Sequence, residues 1–452
     1  MERLIVLEVN ELPPRVLSWW GQQHPRSALW RLAQRGHVVD TLLHEDLPRD
    51  LYPSQSWASV GMGVPWADHG VFWYGDPKPD EHPFYWQRAA EAGRTVGLVG
   101  ALHTSPISER CASPNHSFVI PDVFSGDPET RPAALQPLQE LNLRLSRQSA
   151  RVASARLSPT DVRGVLGFAQ HGVTPTTWLE LARLAAAVGT RRWNKERLRV
   201  GQSLLMADVF LRQIQRHDTD LSILFTNHVA SAMHRYWAAS FPEDWDEHPY
   251  GDEWIAEHAD ELPFAMRATD RIVGRLMQHA ERTNRNVIVV SSMGQKADLD
   301  VDPSRSHQAV INDPLTLLRH LDCPFAADTR PAMVPQLTYV LPDAAEAQRF
   351  EAWIREALGS AITESMRADD TVTLTADLVS DATRVHVADA LVAPERIGAS
   401  IEPINDHRSG RHDPRGVLAS ARVTDWPNDV DAFTIGDRIL ERLGVAAPLT
   451  TS

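Results

Sequence analysis

Two short apolar runs, Leu221 to Phe225 and Val287 to Val290, each end on a cluster of small polar residues, and this pairing restricts the fold more than any other feature of the chain. A brief, mostly apolar run reads as a strand buried on both faces of a parallel sheet. The residues that follow, Thr226 to His234 and Ser291 to Gly294, then lie at carboxyl ends of strands, where open α/β sheets bind ligands. Residues 4 to 9 give a third such strand, and Arg94 to Gly100 a fourth. Helices are expected between them. Arg15 to Trp20 follows Pro13-Pro14, and proline suits a first helical turn. Ser56 to Met62 forms a second helix, and Phe264 to Ala280 aligns Ala265, Ala268, Ile272, Leu276 and Ala280 on one face. The alternation predicts an α/β three-layer sandwich with a mostly parallel central sheet and helices on both faces.

The core is expected over 1–128, 218–333 and 393–445. A helical insertion occupies 129–217, where Leu179, Leu181, Leu184 and Val188 recur at helical spacing. A small α/β lobe fills 334–392, with Leu337 to Leu341, the helix Ala344 to Leu358 and Val372 to Leu374 as its parts, and the tail Ala446 to Ser452 is expected to fray. The insertion is a candidate surface for self-association or a protein partner.

Lys and Arg number 45 against 59 Asp and Glu, a formal charge of −14 that repels polyanions, so neither nucleic acid nor an anionic membrane is an expected partner. A small, locally bound anion is compatible with that charge. Only Cys111 and Cys323 occur, too few for a disulfide framework or a thiolate metal cluster. The first apolar run, Leu4 to Leu7, is far shorter than a signal-peptide core, and a cytoplasmic setting is expected. The chain has no Gly-x-Gly-x-x-Gly after a strand, no Gly-Lys-Ser/Thr phosphate loop, no His-Glu-x-x-His and no Gly-x-Ser-x-Gly. Dinucleotide enzymes, nucleotide-triphosphate motors and the common serine hydrolases are thereby set aside.

Several stretches, in order, form a pattern: Leu7-Glu8-Val9-Asn10-Glu11-Leu12; Pro53-Ser54-Gln55-Ser56-Trp57-Ala58-Ser59 running to Met62-Gly63 and His69-Gly70; Asn227 to Ser231; Ser291 to Gly294; and Gly410-Arg411-His412-Asp413-Pro414-Arg415-Gly416. This arrangement resembles the alkaline phosphatase superfamily, in its type I phosphodiesterase and nucleotide pyrophosphatase branch. The resemblance implies a phosphate-ester site with two metal ions. The family's metal aspartates fall on Asn10, Asn227 and Ser292, its histidines on Ser231 and Met293, and only His412 keeps the expected type. Amide, hydroxyl and thioether groups do not compensate zinc's charge, so no metal cofactor is expected.

The implied nucleophile falls on Ser56 counting from the strand, with Ser54 and Ser59 as rivals; the alternative role for such a serine is a helix N-cap. If chemistry occurs, Ser56 or Glu11 starts it and His234 or His412 moves the proton. Asn10, Asn227 and Ser292 would position ligand oxygens, with His228 and Arg235 nearby. Met233-His234-Arg235-Tyr236-Trp237 supplies a cation and two rings that would clamp a sugar or nucleoside. Structural duties are the plain alternative for His228, His234, His69, Glu11 and Arg235. The expected function is a metal-independent, phosphodiesterase-like site for a phosphorylated or sulfated small molecule, such as a sugar or nucleotide conjugate, with slow hydrolysis or group transfer. The alternatives are a non-catalytic binding or scaffold protein, and a metal hydrolase drawing ligands from Glu11, Asp68, His69, His228 and His412.

Overall fold

The computed structural model describes residues 2–46, 51–151, 168–190, 197–301, 307–330, 332, 336–388, 390–403, 408–422, 426–427 and 429–445. The expected frayed tail, and 152–167 and 191–196 of the expected insertion, lie outside these residues. The chain divides into two compact units, one of Met1–Arg144, Arg156–Val301 and Arg408–Ser452, the other of Leu145–Ala155 and Asp302–His407.

The first unit is built on an eight-stranded sheet. Its strands are β1 (Leu4–Val9), β2 (His37–Leu42), β3 (Val96–Val99), β4 (His116–Ile120), β5 (Leu221–Thr226), β6 (Asn286–Val290), β9 (Arg415–Ser420) and β10 (Asp429–Asp431), while β7 (Gly294–Ala297) and β8 (Gly410–Asp413) pair separately. The order across the sheet is β10-β2-β9-β6-β1-β5-β3-β4. Every pairing is parallel except those of β9 with β2 and β6. The expected α/β class with a mostly parallel central sheet is therefore present. All six residues of β1 are buried, as a central parallel strand covered on both faces requires.

Five helices matter for the site: α1 (Pro14–Gln23), α2 (Pro53–Met62), α3 (Arg197–His217), α4 (His228–Ser240) and α5 (Glu261–Thr283). Both α1 and α2 open on proline, and α2 closes on Gly63 in the left-handed conformation at φ +78°. Trp57, Val60 and Met62 of α2 join Leu4, Val6, Ile223 and Ile288 in one apolar cluster. Helix α3 packs on β3 and β5, and α5 on β1 and β6. Between 129 and 217 the described elements are helical. No helix among the described residues is long and apolar enough to cross a membrane.

The second unit has its own core, including Tyr339, Phe350, Ile354, Val372 and Leu374. An antiparallel sheet, ordered Ile362–Ala368, Thr371–Ala376, Gln336–Val340 and Asp328–Arg330, carries the helix Ala344–Leu358. Within the same unit His307–Ile311 pairs with Ala399–Pro403.

Candidate functional site

Strand β1 delivers the chain to Asn10 and Glu11 at the carboxyl rim of the sheet. Glu11 holds a left-handed backbone, φ +59°, which a residue with a side chain adopts at a cost of about 1–2 kcal/mol. The turn leaves its carboxylate only 2% exposed. Oε2 lies 2.9 Å from His234 Nε2 and 3.5 Å from His412 Nε2, and also accepts from Gln295 Nε2. Oε1 accepts from Asn10 Nδ2 at 2.8 Å. Burial alone would raise this carboxyl; the charges of His234 and His412, with hydrogen bonds from His234 and Gln295, outweigh burial and hold it down at about 2.

His234 is fixed through a break in its own helix. Tyr236 leaves helical geometry at φ −124°, ψ 21°, and Ser409 enters the gap: its N–H donates to His234 O at 2.7 Å, its hydroxyl donates to Arg235 O at 3.1 Å and accepts from Ala238 N at 3.1 Å. A polar side chain set into the ladder in this way kinks a helix. The next residue, Gly410, accepts from His234 Nδ1 at 2.8 Å. A Cβ at Gly410 would lie 2.6 Å from Met233 O, so only glycine permits this approach. His412 follows two residues later on β8, opposite Gln295 of β7. The segment that locks His234 thus also carries His412, and the two rings meet edge to face at 5.0 Å. Side-chain exposures of 27% for His234 and 16% for His412 keep both imidazoles in reach of solvent.

Asn10 ties this cluster to the neighbouring strand and helix. Its Nδ2 also donates to Asn227 Oδ1 at 2.8 Å, and its Oδ1 accepts from Trp57 Nε1 at 2.8 Å. Asn227 is exposed at the start of α4. Ser56 and Ser292 form a separate, fully buried pair with their hydroxyls 2.9 Å apart. Ser56 is not an N-cap: Tyr52 holds that place and Ser56 is the fourth helical residue. The rival serines serve structure, since Ser54 Oγ donates to Phe72 O at 2.5 Å and Ser59 Oγ donates to Glu45 Oε1 at 2.5 Å while meeting His69 Nε2 at 2.9 Å. His69 Nδ1 accepts from Val71 N–H at 2.9 Å, so Nε2 carries the proton and His69 cannot act as a base toward Ser59. Burial lowers His69 to about 4.

Three expected contacts point elsewhere. His228 is buried with Nε2 2.9 Å from Thr269 Oγ1 of α5, and burial lowers it to about 4. Arg235 turns back on its own helix, donating to Ser231 O and Oγ at 3.1 and 2.8 Å. The expected ring clamp is absent because Tyr236 and Trp237 are core residues: Tyr236 stacks on His258 at 4.9 Å, and Trp237 Nε1 donates to Asp244 Oδ2 at 2.7 Å. Asp68 is exposed in a short helix. Gln295, Trp57 and Ser409, which sequence reasoning passed over, fasten the cluster; only the position of Ser409 and Gly410 just ahead of His412 hinted at them. A cavity of about 440 Å³ lined by Asp208, Arg212, Arg275, His279 and Arg282 shares none of the cluster residues.

No family profile and no curated protein sequence matches the chain. Among solved structures it is similar to phosphonoacetate hydrolase from Sinorhizobium meliloti 1021, at 13% identity over 99% of this chain and 96% of that one, with a TM-score of 0.44. Murine ectonucleotide pyrophosphatase/phosphodiesterase 5 is similar at 11% identity over 100% and 98%, TM-score 0.44, and the human protein at 10% over 100% and 97%, TM-score 0.40. The likeness is distant at these scores, and the chemistry of the site rests on its own geometry. At the positions where the sequence resemblance implies the ligands of two zinc ions, Asn10, Asn227, Ser231, Ser292 and Met293 supply neither carboxylate nor imidazole and do not fit that group.

Proposed function

We propose that the crevice at the carboxyl rim of the sheet binds a phosphorylated or sulfated small molecule and hydrolyses or transfers its ester without a two-metal centre. The observation that carries this reading is the convergence of Glu11, His234 and His412, with both imidazoles open to solvent above a buried carboxylate. The cluster sets two imidazoles against one carboxylate, an arrangement that can receive an anionic ester in a chain otherwise strongly negative. His234 donates from Nδ1 to Gly410 O, which turns its Nε2 toward Glu11 and the crevice. In a metal-free crevice His412, with Nε2 3.5 Å from Glu11 Oε2, would be the group to exchange a proton with a bound ester. Asn227, exposed and oriented by Asn10, offers a neutral contact to ester oxygens. Acid–base help of this kind supplies about a hundredfold to ten-thousandfold, which suits slow turnover or transfer from an activated donor. Two free thiols support a reducing, cytoplasmic setting.

One observation favours a second reading, a non-catalytic binding protein: Ser56 is fully buried against Ser292, and no base hydrogen-bonds to it among the described residues. A screen of aryl phosphates, phosphodiesters and aryl sulfates divides the two. The enzyme reading requires turnover that falls at least about a hundredfold in His412→Ala. Identical background rates in wild type and variant leave the binding protein.

A further inference from the structure

We infer that Glu11, His234 and His412 are the three protein ligands of a single divalent cation of the zinc class, with a fourth coordination position open to the ester. The inference rests on the reading of this crevice as the working site and names what that site holds.

The donor atoms already stand where such an ion needs them. One oxygen of Glu11 and one nitrogen from each histidine all lie within 4.8 Å of one another. Tetrahedral bonds of about 2.0–2.1 Å place neighbouring donors about 3.3 Å apart. The Glu11 oxygen stands 2.9 and 3.5 Å from the two Nε2 atoms, so small rotations bring all three onto one ion. Two imidazoles and one carboxylate match the ligand set of catalytic zinc sites, which keep a fourth place for water or substrate.

The surroundings are those of a ligand set. A backbone carbonyl only accepts, so His234 Nδ1 carries a proton toward Gly410 O and Nε2 is the atom turned to Glu11. A metal-binding histidine is held in this way, its far N–H on a carbonyl and its near nitrogen free for the ion. Glu11 is gripped on both oxygens, by Asn10 and by Gln295, and Gln295 also donates to Ala230 O at 3.1 Å. Gln295 is turned to give its amide protons to Glu11 and Ala230 even though its own Oε1 is left buried without a hydrogen-bond partner. Among the described residues, no lysine or arginine pairs with this buried carboxylate, so its countercharge comes from the imidazoles or from a cation they bind.

The site shares only His412 with the ligands implied by the sequence resemblance. It replaces the expectation of a metal-free centre with that of one ion. Such an ion would orient the ester and draw charge from its oxygen; Asn227 and the protein ligands set where that oxygen lies.

The test is a calorimetric titration of chelator-treated full-length protein with Zn²⁺, followed by metal analysis after desalting, with Mg²⁺ as a control because imidazole is a poor ligand for it. One zinc equivalent and no magnesium binding are expected. His234→Ala and His412→Ala should each weaken zinc more than about a hundredfold, beyond what loss of an outer-shell partner produces. Zinc-edge X-ray absorption of the loaded wild type does not depend on any variant folding, and should show two imidazoles with oxygen donors. No stoichiometric zinc, two equivalents per chain, a spectrum without two imidazoles, or unchanged affinity in folded variants overturns the inference. Turnover of esters by a chain that binds no zinc would remove the ion and keep the proposed function. One bound zinc without turnover would keep the ion and remove the hydrolase.

Discussion

Glu8 stands in the middle of the sheet with its carboxyl 4% exposed, flanked in register by Phe225 and Val290. Burial pushes its pKa up to about 8, and the hydrogen bond from the Tyr85 hydroxyl, 3.2 Å from Oε1, offsets only part of that rise. The native chain therefore keeps a proton on Glu8 between pH 4.5 and 8, where the unfolded chain has lost it. Stability contributed by the protonated carboxyl is complete below pH 4.5 and falls as pH rises toward 8, by about 1.4 kcal/mol per unit. From pH 5 to pH 8 the loss is about 3 kcal/mol, a large share of a typical domain's stability. Glu8→Gln keeps a carbonyl for Tyr85 and removes the titration. Urea unfolding followed by tryptophan fluorescence reads chiefly the first unit, because only Trp353 of the 14 tryptophans falls within 302–407. The variant should gain on wild type by about 3 kcal/mol between pH 5 and pH 8. Parallel stability curves across that range would refute the account of a neutral carboxyl inside the sheet.

Other expectations follow from the same partners. Ser59→Ala removes a donor to Glu45 and a partner of His69, and should cost about 1–3 kcal/mol in urea unfolding while leaving crevice activity intact. His69, His116 and His228 are each lowered to about 4 by burial, so stability held by their neutral forms is present above pH 6.5 and lost as pH falls toward 4. In the Glu8→Gln background, which removes the opposing rise of Glu8, Tm should drop between pH 7 and pH 5, and a level Tm would contradict their burial as neutral rings. Gly410→Ala would set a methyl 2.6 Å from Met233 O and 2.7 Å from Gln295 Oε1, displacing the carbonyl that orients His234. Turnover, or zinc affinity, should fall about a hundredfold, and wild-type values would show that the cluster tolerates misplacement.

The parts of the fold that were legible share one property, burial on both faces. Leu4–Val9, Leu221–Thr226 and Asn286–Val290 announce themselves as strands because water reaches neither side. The antiparallel strand Arg415–Ser420 was hidden in a stretch that reads as a turn, since Gly410 to Gly416 carries a proline and two glycines; in the structure Pro414 separates two strands. His37–Leu42 was obscured by mixed polar and apolar positions. At the site, residue types were legible and their convergence was not. Glu11, His234 and His412 are far apart in sequence, and what unites them is a left-handed turn at Glu11 and a helix break filled by Ser409, neither of which leaves a periodic signal. The same helix misled at Tyr236 and Trp237, whose rings are buried, with the Trp237 N–H satisfied internally by Asp244.

The uncharged residues around Glu11 follow from its charge. Asn10 uses every polar atom of its amide: Oδ1 must accept because Trp57 Nε1 only donates, and Nδ2 has two protons for Glu11 Oε1 and Asn227 Oδ1. An aspartate at position 10 would have no proton to give, and would set a second anion beside a buried first one. Gln295 obeys the same logic, since a carboxylate there would repel Glu11 where the amide donates to it. A crevice that gathers its negative charge into one carboxylate matches the single ion inferred above. The amides at positions 10 and 295 are therefore the supports of a one-carboxylate site, and their neutrality is no sign that chemistry has been lost.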